Sequence, residues 1–305
     1  MSTYTSAAVP VAGGTLHTGI WGPDDPDAPT VLAIHGVTAS HRTWGMVAGA
    51  LPGVRFIAPD LRGRGRSNNL PGPYGMPVHA DDLAAVLQAL AVPRAVVVGH
   101  SMGAFAALVL ANRHPQLVES LVLVDGGLPL DVPAGLTDEQ IIQAVLGPAA
   151  ERLEQVFGSV ADYERFWAPH PAFTGHWNDL LHDYLAYDLQ PHGSGFRAAT
   201  CTEALVEDTA ELHRGTALLQ ALGELAHPVR LLRAPRGLLN EEPGLYSPGY
   251  IASWQERLPE LEITDVPGTN HYTIVMDDPG ASAVAAVLTE QAVAGRLPAG
   301  EPPAG

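Results

Sequence analysis

The run Ala95-Val96-Val97-Val98-Gly99-His100-Ser101-Met102-Gly103 constrains this chain more than any other. Three valines after Ala95 read as a short buried strand, because β-branched side chains suit an extended, packed backbone. Gly99 to Gly103 fits G-x-S-x-G, and Ala104 to Ala111 then reads as a helix. Strand, tight turn with a serine, and helix directly behind it make a nucleophile elbow, in which a strained turn exposes the hydroxyl. Neighbouring side chains would collide with strand and helix there, which is why the turn needs glycine. The helix N-terminus offers free N–H groups and a positive dipole end to an oxyanion formed at the serine. The bland alternative is a strand-to-helix turn that happens to hold Gly and Ser. The full context favours the elbow.

The flanking sequence alternates between apolar runs and helical spacing. Residues 1 to 22 read as an antiparallel hairpin about Gly13-Gly14. Thr30 to Ile34, Val54 to Ala58, Leu121 to Asp125, Val229 to Ala234 and Leu261 to Val266 read as strands of a sheet covered on both faces. Helices are predicted near Trp44 to Leu51 and over Val78 to Leu90, Tyr250 to Leu258 and Ala281 to Ala294. From Gly126 to about Leu225 the alternation stops. Asp138 to Ile142, Glu151 to Phe157, Tyr163 to Trp167 and Trp177 to Tyr187 look helical there, and aromatic residues concentrate. The reading is a core of residues 1–126 and 226–296, a helical cap of 127–225, and a frayed Pro/Gly/Ala-rich tail of 297–305.

Composition narrows the classes further. A 46% hydrophobic, 16% charged chain of 305 residues is ordinary for a globular protein with a sizeable core. A net charge of −17 argues against nucleic acid, since phosphate contacts need a basic face. The single Cys201 makes no internal disulfide. No secretory leader pattern is visible at Met1 to Ser6, and no apolar run reaches the ~18 residues of a membrane span, so a soluble cytoplasmic protein is expected. His170 and His176 do not share a helix face and no H-E-x-x-H occurs, so neither a metal nor another cofactor is expected. Asp60-Leu61-Arg62-Gly63-Arg64-Gly65-Arg66-Ser67 is not a dinucleotide loop, because no helix opens there; it reads as a shaped loop held by Asp60 and its arginines. Oligomeric state leaves no readable trace.

His35-Gly36, the Asp60 to Ser67 loop, Gly99 to Gly103 and Gly268-Thr269-Asn270-His271, in this order, resemble the α/β-hydrolase superfamily over nearly the whole chain. The resemblance implies an α/β-hydrolase fold: a mostly parallel, eight-stranded-type sheet with helices on both faces and an inserted helical cap, in the esterase/lactonase-like branch. It implies a serine chemistry that needs a nucleophile, a base, an oxyanion hole and an acid behind the base. Ser101 is the expected nucleophile. His271, after the last strand, is the expected base, in the chain order Ser…acid…His. His35 and His100 flank turns and are read as structural. Backbone N–H groups of Val37 and Met102 are the expected oxyanion donors.

The acid is less direct. Many relatives carry it just after the strand that follows the cap, where this chain reads Arg233-Ala234-Pro235-Arg236-Gly237; Glu241 and Glu242 lie further along that loop. Other branches place it at the end of the strand after the nucleophile helix, where Asp125 stands. An Asp commonly ends that strand even where the acid lies elsewhere. Asp125 is preferred, with Glu241 and Glu242 kept as alternatives.

Serine at the elbow, where an epoxide hydrolase or dehalogenase carries Asp, points to an acyl-enzyme. Hydrolysis of a carboxylic ester or lactone leads; carbon–carbon bond hydrolysis and acyl transfer use the same triad. A catalytically silent small-molecule binding protein is the reading from a different class, and such relatives usually lose Ser or His. Phe166, Trp167, Trp177 and Tyr184 are candidate walls of an apolar pocket over Ser101, or ordinary cap packing. The expected partner is a small, apolar or aromatic substrate, with anionic ones mildly disfavoured by the negative surface.

Overall fold

In a computed structural model of the chain, residues 3–131, 135–137, 140 and 146–294 are described. Eight strands form one sheet: β1 (Tyr4–Val11), β2 (Gly14–Trp21), β3 (Thr30–Ile34), β4 (Arg55–Pro59), β5 (Ala95–His100), β6 (Val118–Val124), β9 (Val229–Arg233) and β10 (Glu262–Asp265). Their order is β1-β2-β4-β3-β5-β6-β9-β10. β1, β2 and β4 pair antiparallel, and all pairings from β4 to β10 are parallel. The hairpin about Gly13-Gly14 closes one edge, as its turn residues predict.

The continuous apolar runs are explained by two cores. Leu32, Ile34, Val97, Leu121 and Leu123 face helices Met76–Ala89 and Met102–Arg113. Val31, Ala33, Val96, Val98, Val122 and Val124 face the opposite layer, with helix Gly280–Ala294. Successive side chains of a strand point to opposite faces, so a strand buried on both sides has no polar alternation to show. No described helix is long and apolar enough to cross a membrane.

The residues between β6 and β9 form an insert on the core. It holds helices Pro148–Glu151, Val160–Trp167, Asp179–Asp188, Thr202–Arg214 and Thr216–Gly223. Two points differ from the sequence reading. The helix expected over Glu151 to Phe157 stops at Glu151, and Phe157 instead bridges backbone to backbone with Phe196. The insert also carries an antiparallel pair, β7 (Leu189–His192) and β8 (Gly195–Ala198), turned by Gly193 at φ 58°. A Gly-Ser pair between extended flanks is a hairpin signal, outweighed in the sequence by the helical stretch before it. The helix expected over Asp138 to Ile142 and the tail at 297–305 lie outside the described residues.

The Asp60 loop is built as expected. Asp60 is fully buried and accepts from the His41 backbone N–H and Nδ1 at 2.8 Å each, the Arg66 backbone N–H at 2.8 Å and the Tyr187 hydroxyl at 2.6 Å. Arg62 binds Asp82 through two bonds of 2.9 Å.

Candidate active site

β5 ends at His100, and Ser101 follows at φ 55°, ψ −126°, a left-handed conformation that a non-glycine residue adopts at a cost. Helix Met102–Arg113 begins on the next residue. A Cβ on Gly103 would stand 2.0 Å from the Ile34 carbonyl oxygen, so only glycine lets the helix start so close to β3. The turn after β3 crosses the serine from the other side: a Cβ on Gly36 would lie 3.2 Å from Ser101 Cβ and 3.6 Å from its Oγ.

His271 Nδ1 lies 2.7 Å from Asp125 Oδ2, although 146 residues separate them. A carboxylate only accepts, so Nδ1 carries the proton and Nε2 keeps a lone pair. Asp125 is fully buried, and its other oxygen accepts the Ala234 backbone N–H at 3.1 Å. Neighbouring Asn270 fixes the His271 loop: its side-chain oxygen accepts the Tyr272 and Thr273 N–H groups at 3.0 Å, and its amide donates to Ala172 O at 2.9 Å. The sequence reading did not single out Asn270, yet its side chain makes the local turn bonds that this residue type favours.

Glu241 and Glu242 are placed elsewhere. Glu241 accepts from the Leu239 N–H at 2.7 Å, and exposed Glu242 lies 3.4 Å from Arg236.

Ser101 and His271 line one cavity of about 400 Å³, together with the Gly36–Ala39 turn. Its apolar wall includes Leu146, Leu238, Tyr272 and Met276, none of which the sequence marked. Of the four candidate pocket residues, Tyr184 lines the cavity and the other three do not. Phe166 and Trp167 pack edge-on at 5.9 Å, Trp167 meets Phe173 at 5.5 Å, and Trp177 meets His182 at 5.2 Å. These rings build the insert's own packing, because an eight-residue helix has a single apolar face and spends it on the nearest layer.

The two other histidines at the turns are structural. His35 Nε2 accepts the Leu61 N–H at 2.9 Å, so its Nδ1 donates to Gly36 O at 2.8 Å. His100 donates from Nε2 to His271 O at 2.7 Å. Burial pushes His35 down to about 4, and burial with the neighbouring His271 pushes His100 well below the ordinary range. Both stay neutral in the fold.

A histidine neutral in the fold takes up protons more readily unfolded. Its contribution is therefore complete above ~6.5 and lost as pH falls toward the folded value. Urea unfolding is expected to show a stability lower at pH 5 than at pH 7, with on the order of 2 kcal/mol from His35. A flat profile over that range contradicts the neutral assignment.

His17, His41 and Asp60 bring ligand-type atoms within 4.8 Å of one another. His41 and Asp60 are bonded to each other, and the guanidinium groups of Arg42 and Arg66 lie 5.3 and 4.4 Å from the Tyr187 ring above them. This is a hydrogen-bond hub beside fixed positive charge, a poor setting for a metal cation.

The sheet order and the serine turn after β5 define an α/β protein built around a nucleophile elbow. A family profile described as the alpha/beta hydrolase fold matches residues 29–152. The chain is 37% identical over 222 residues to lipase LipV of Mycobacterium tuberculosis, covering 63% of this chain and 82% of that protein. It is 28% identical over 295 residues to a serine hydrolase-like protein of Danio rerio, covering 92% and 86%. The crystal structure of E-2-(acetamidomethylene)succinate hydrolase superposes with a TM-score of 0.76 at 24% identity, covering 94% of this chain and 98% of the other. The chain belongs to the α/β-hydrolase family, and the fold and these relatives mark it as a hydrolase.

Proposed function

We propose that this chain is a serine hydrolase that cleaves a small, apolar or aromatic carboxylic ester or lactone through an acyl-enzyme. The observation that carries the reading is the buried His271–Asp125 pair at 2.7 Å, on the cavity that Ser101 also lines. Ser101 Oγ attacks the carbonyl carbon while His271 Nε2 takes its proton. The backbone N–H groups of Val37 and Met102 receive the oxyanion. Collapse releases the alkoxide, which takes the proton from His271. Water then attacks the acyl carbon with His271 as base, giving the free acid and restoring the serine. Asp125 stays ionised throughout, orienting the imidazole and stabilising the imidazolium.

In this reading residues 127–225 are the cap, 1–126 and 226–296 the core. The described cavity lining holds no arginine or lysine, which favours an uncharged acyl group. The lipase relative supports an ester.

Intact mass after a fluorophosphonate tests the chemistry: one adduct on a single serine is expected, and none on folded protein sinks the reading. A panel of acetate, longer acyl, aryl and lactone substrates tests the substrate class. Aryl and longer acyl esters or lactones are expected to lead, and a clear preference for acetate or for dicarboxylates rules the class out.

A further inference from the structure

Gly36 to Thr38 form the turn facing Ser101, and each of their three carbonyls is tied to a buried donor. Gly36 O accepts from His35 Nδ1 at 2.8 Å and from the Ala39 N–H at 3.2 Å. Val37 O accepts from Arg64 Nε at 2.9 Å. Thr38 O accepts from Arg152 Nη2 at 2.7 Å. In a trans peptide the N–H points opposite to the C=O of the preceding residue. Fixing Gly36 O and Val37 O therefore aims the Val37 and Thr38 N–H groups the other way. Successive N–H groups turned to one side make a concavity for an anion.

The two arginines come from different places. Arg64 lies at a middle position of the Asp60 loop, and Arg152 follows the first described helix of the insert. Both are almost wholly buried, and each is matched by a carboxylate of the insert: Arg64 by Asp208, Arg152 by Asp188. Asp208 also binds His79 Nε2 at 2.9 Å and the Gly75 N–H at 2.6 Å, while Tyr163 joins Arg152 at 2.8 Å and also bonds Asp188. Ion pairing alone does not require either guanidinium to reach the turn. Both do, and on consecutive carbonyls.

We propose that Arg64 and Arg152 are positioning residues for the oxyanion-binding turn, and that through Asp208 and Asp188 the docked insert sets its geometry. This rests on the hydrolase reading above. A turn held only by its own short-range bonds has freedom to rotate its peptides; held by two anchored guanidinium groups, it presents its N–H groups already oriented. Preorganised donors act where charge develops, so their benefit falls on the transition state rather than on ground-state binding.

Arg64→Lys and Arg152→Lys test this, since each keeps a cation near its carboxylate but loses the reach to the turn. Each is expected to lower kcat by roughly 10- to 100-fold, part of the 10²–10³ lost with a whole donor, and to leave KM within about threefold. Affinity for an aryl trifluoromethyl ketone, whose serine adduct is tetrahedral, is expected to weaken by the same factor as kcat/KM. A role in folding alone lowers active fraction without moving that affinity. Where a lysine variant does not fold, Arg64→Met with Asp208→Asn removes both charges together and is read the same way. Parent kcat and parent ketone affinity in folded variants overturn the proposal while the hydrolase reading stands. A parent protein that forms no ketone adduct and hydrolyses no ester overturns the hydrolase reading, and this proposal with it.

Discussion

Ser101→Ala is expected to lower kcat by about 10⁶ on any ester the parent cleaves, as removal of a triad serine does elsewhere. The substitution removes one oxygen and keeps Cβ, so the left-handed turn at φ 55° and its packing remain. The melting temperature should therefore stay near the parent's, and the residual rate should reflect the oxyanion donors alone. Steady-state kinetics on an ester, with fluorophosphonate mass on the same preparations, check this. A variant within tenfold of the parent excludes Ser101 as nucleophile.

Asp125→Asn is expected to lower kcat by about 10⁴ with the fold retained. An amide facing His271 Nδ1 favours the wrong tautomer and offers no charge to the imidazolium. Asp125 is buried and accepts from the His271 ring at 2.7 Å and from Ala234 at 3.1 Å. Glu241→Gln and Glu242→Gln are expected to stay within about twofold, because surface substitutions away from such networks have small effects. The three variants assayed side by side decide between the carboxylates. Loss in a glutamate variant with Asp125→Asn near the parent rate reverses the assignment.

What the sequence exposed was local. β5, the serine turn and the helix behind it are contiguous, so composition and spacing reveal them together. The strands of the parallel sheet were legible because continuous apolar runs have few other uses in a chain of this size. The cavity was not legible, since Leu146, Leu238 and Met276 are ordinary apolar residues whose shared wall comes from three separate segments. The aromatic residues of the insert drew attention by size, and Phe166 and Trp167 then spent it on each other. Long-range polar pairs were equally hidden: nothing near Arg64 announces a partner 144 positions away. The hairpin β7–β8 had a visible signal in Gly193-Ser194, but it followed a strong helical stretch and lost to it.

The insert is fastened to the sheet's upper edge at many points: Tyr187 on Asp60, Asp208 on Arg64 and His79, Gln190 on Asn68, His176 on Asp277 at 2.5 Å, Asn270 on Ala172. Several of these bonds involve buried charge, and separating one such pair costs about 3–5 kcal/mol. Lifting the insert as a rigid lid would break them together. Molecules thus enter by the yielding of a few side chains at the mouth, and the roster of molecules admitted is written in the girth of Leu146, Leu238 and Met276. A lineage carrying this architecture changes its diet one residue at a time.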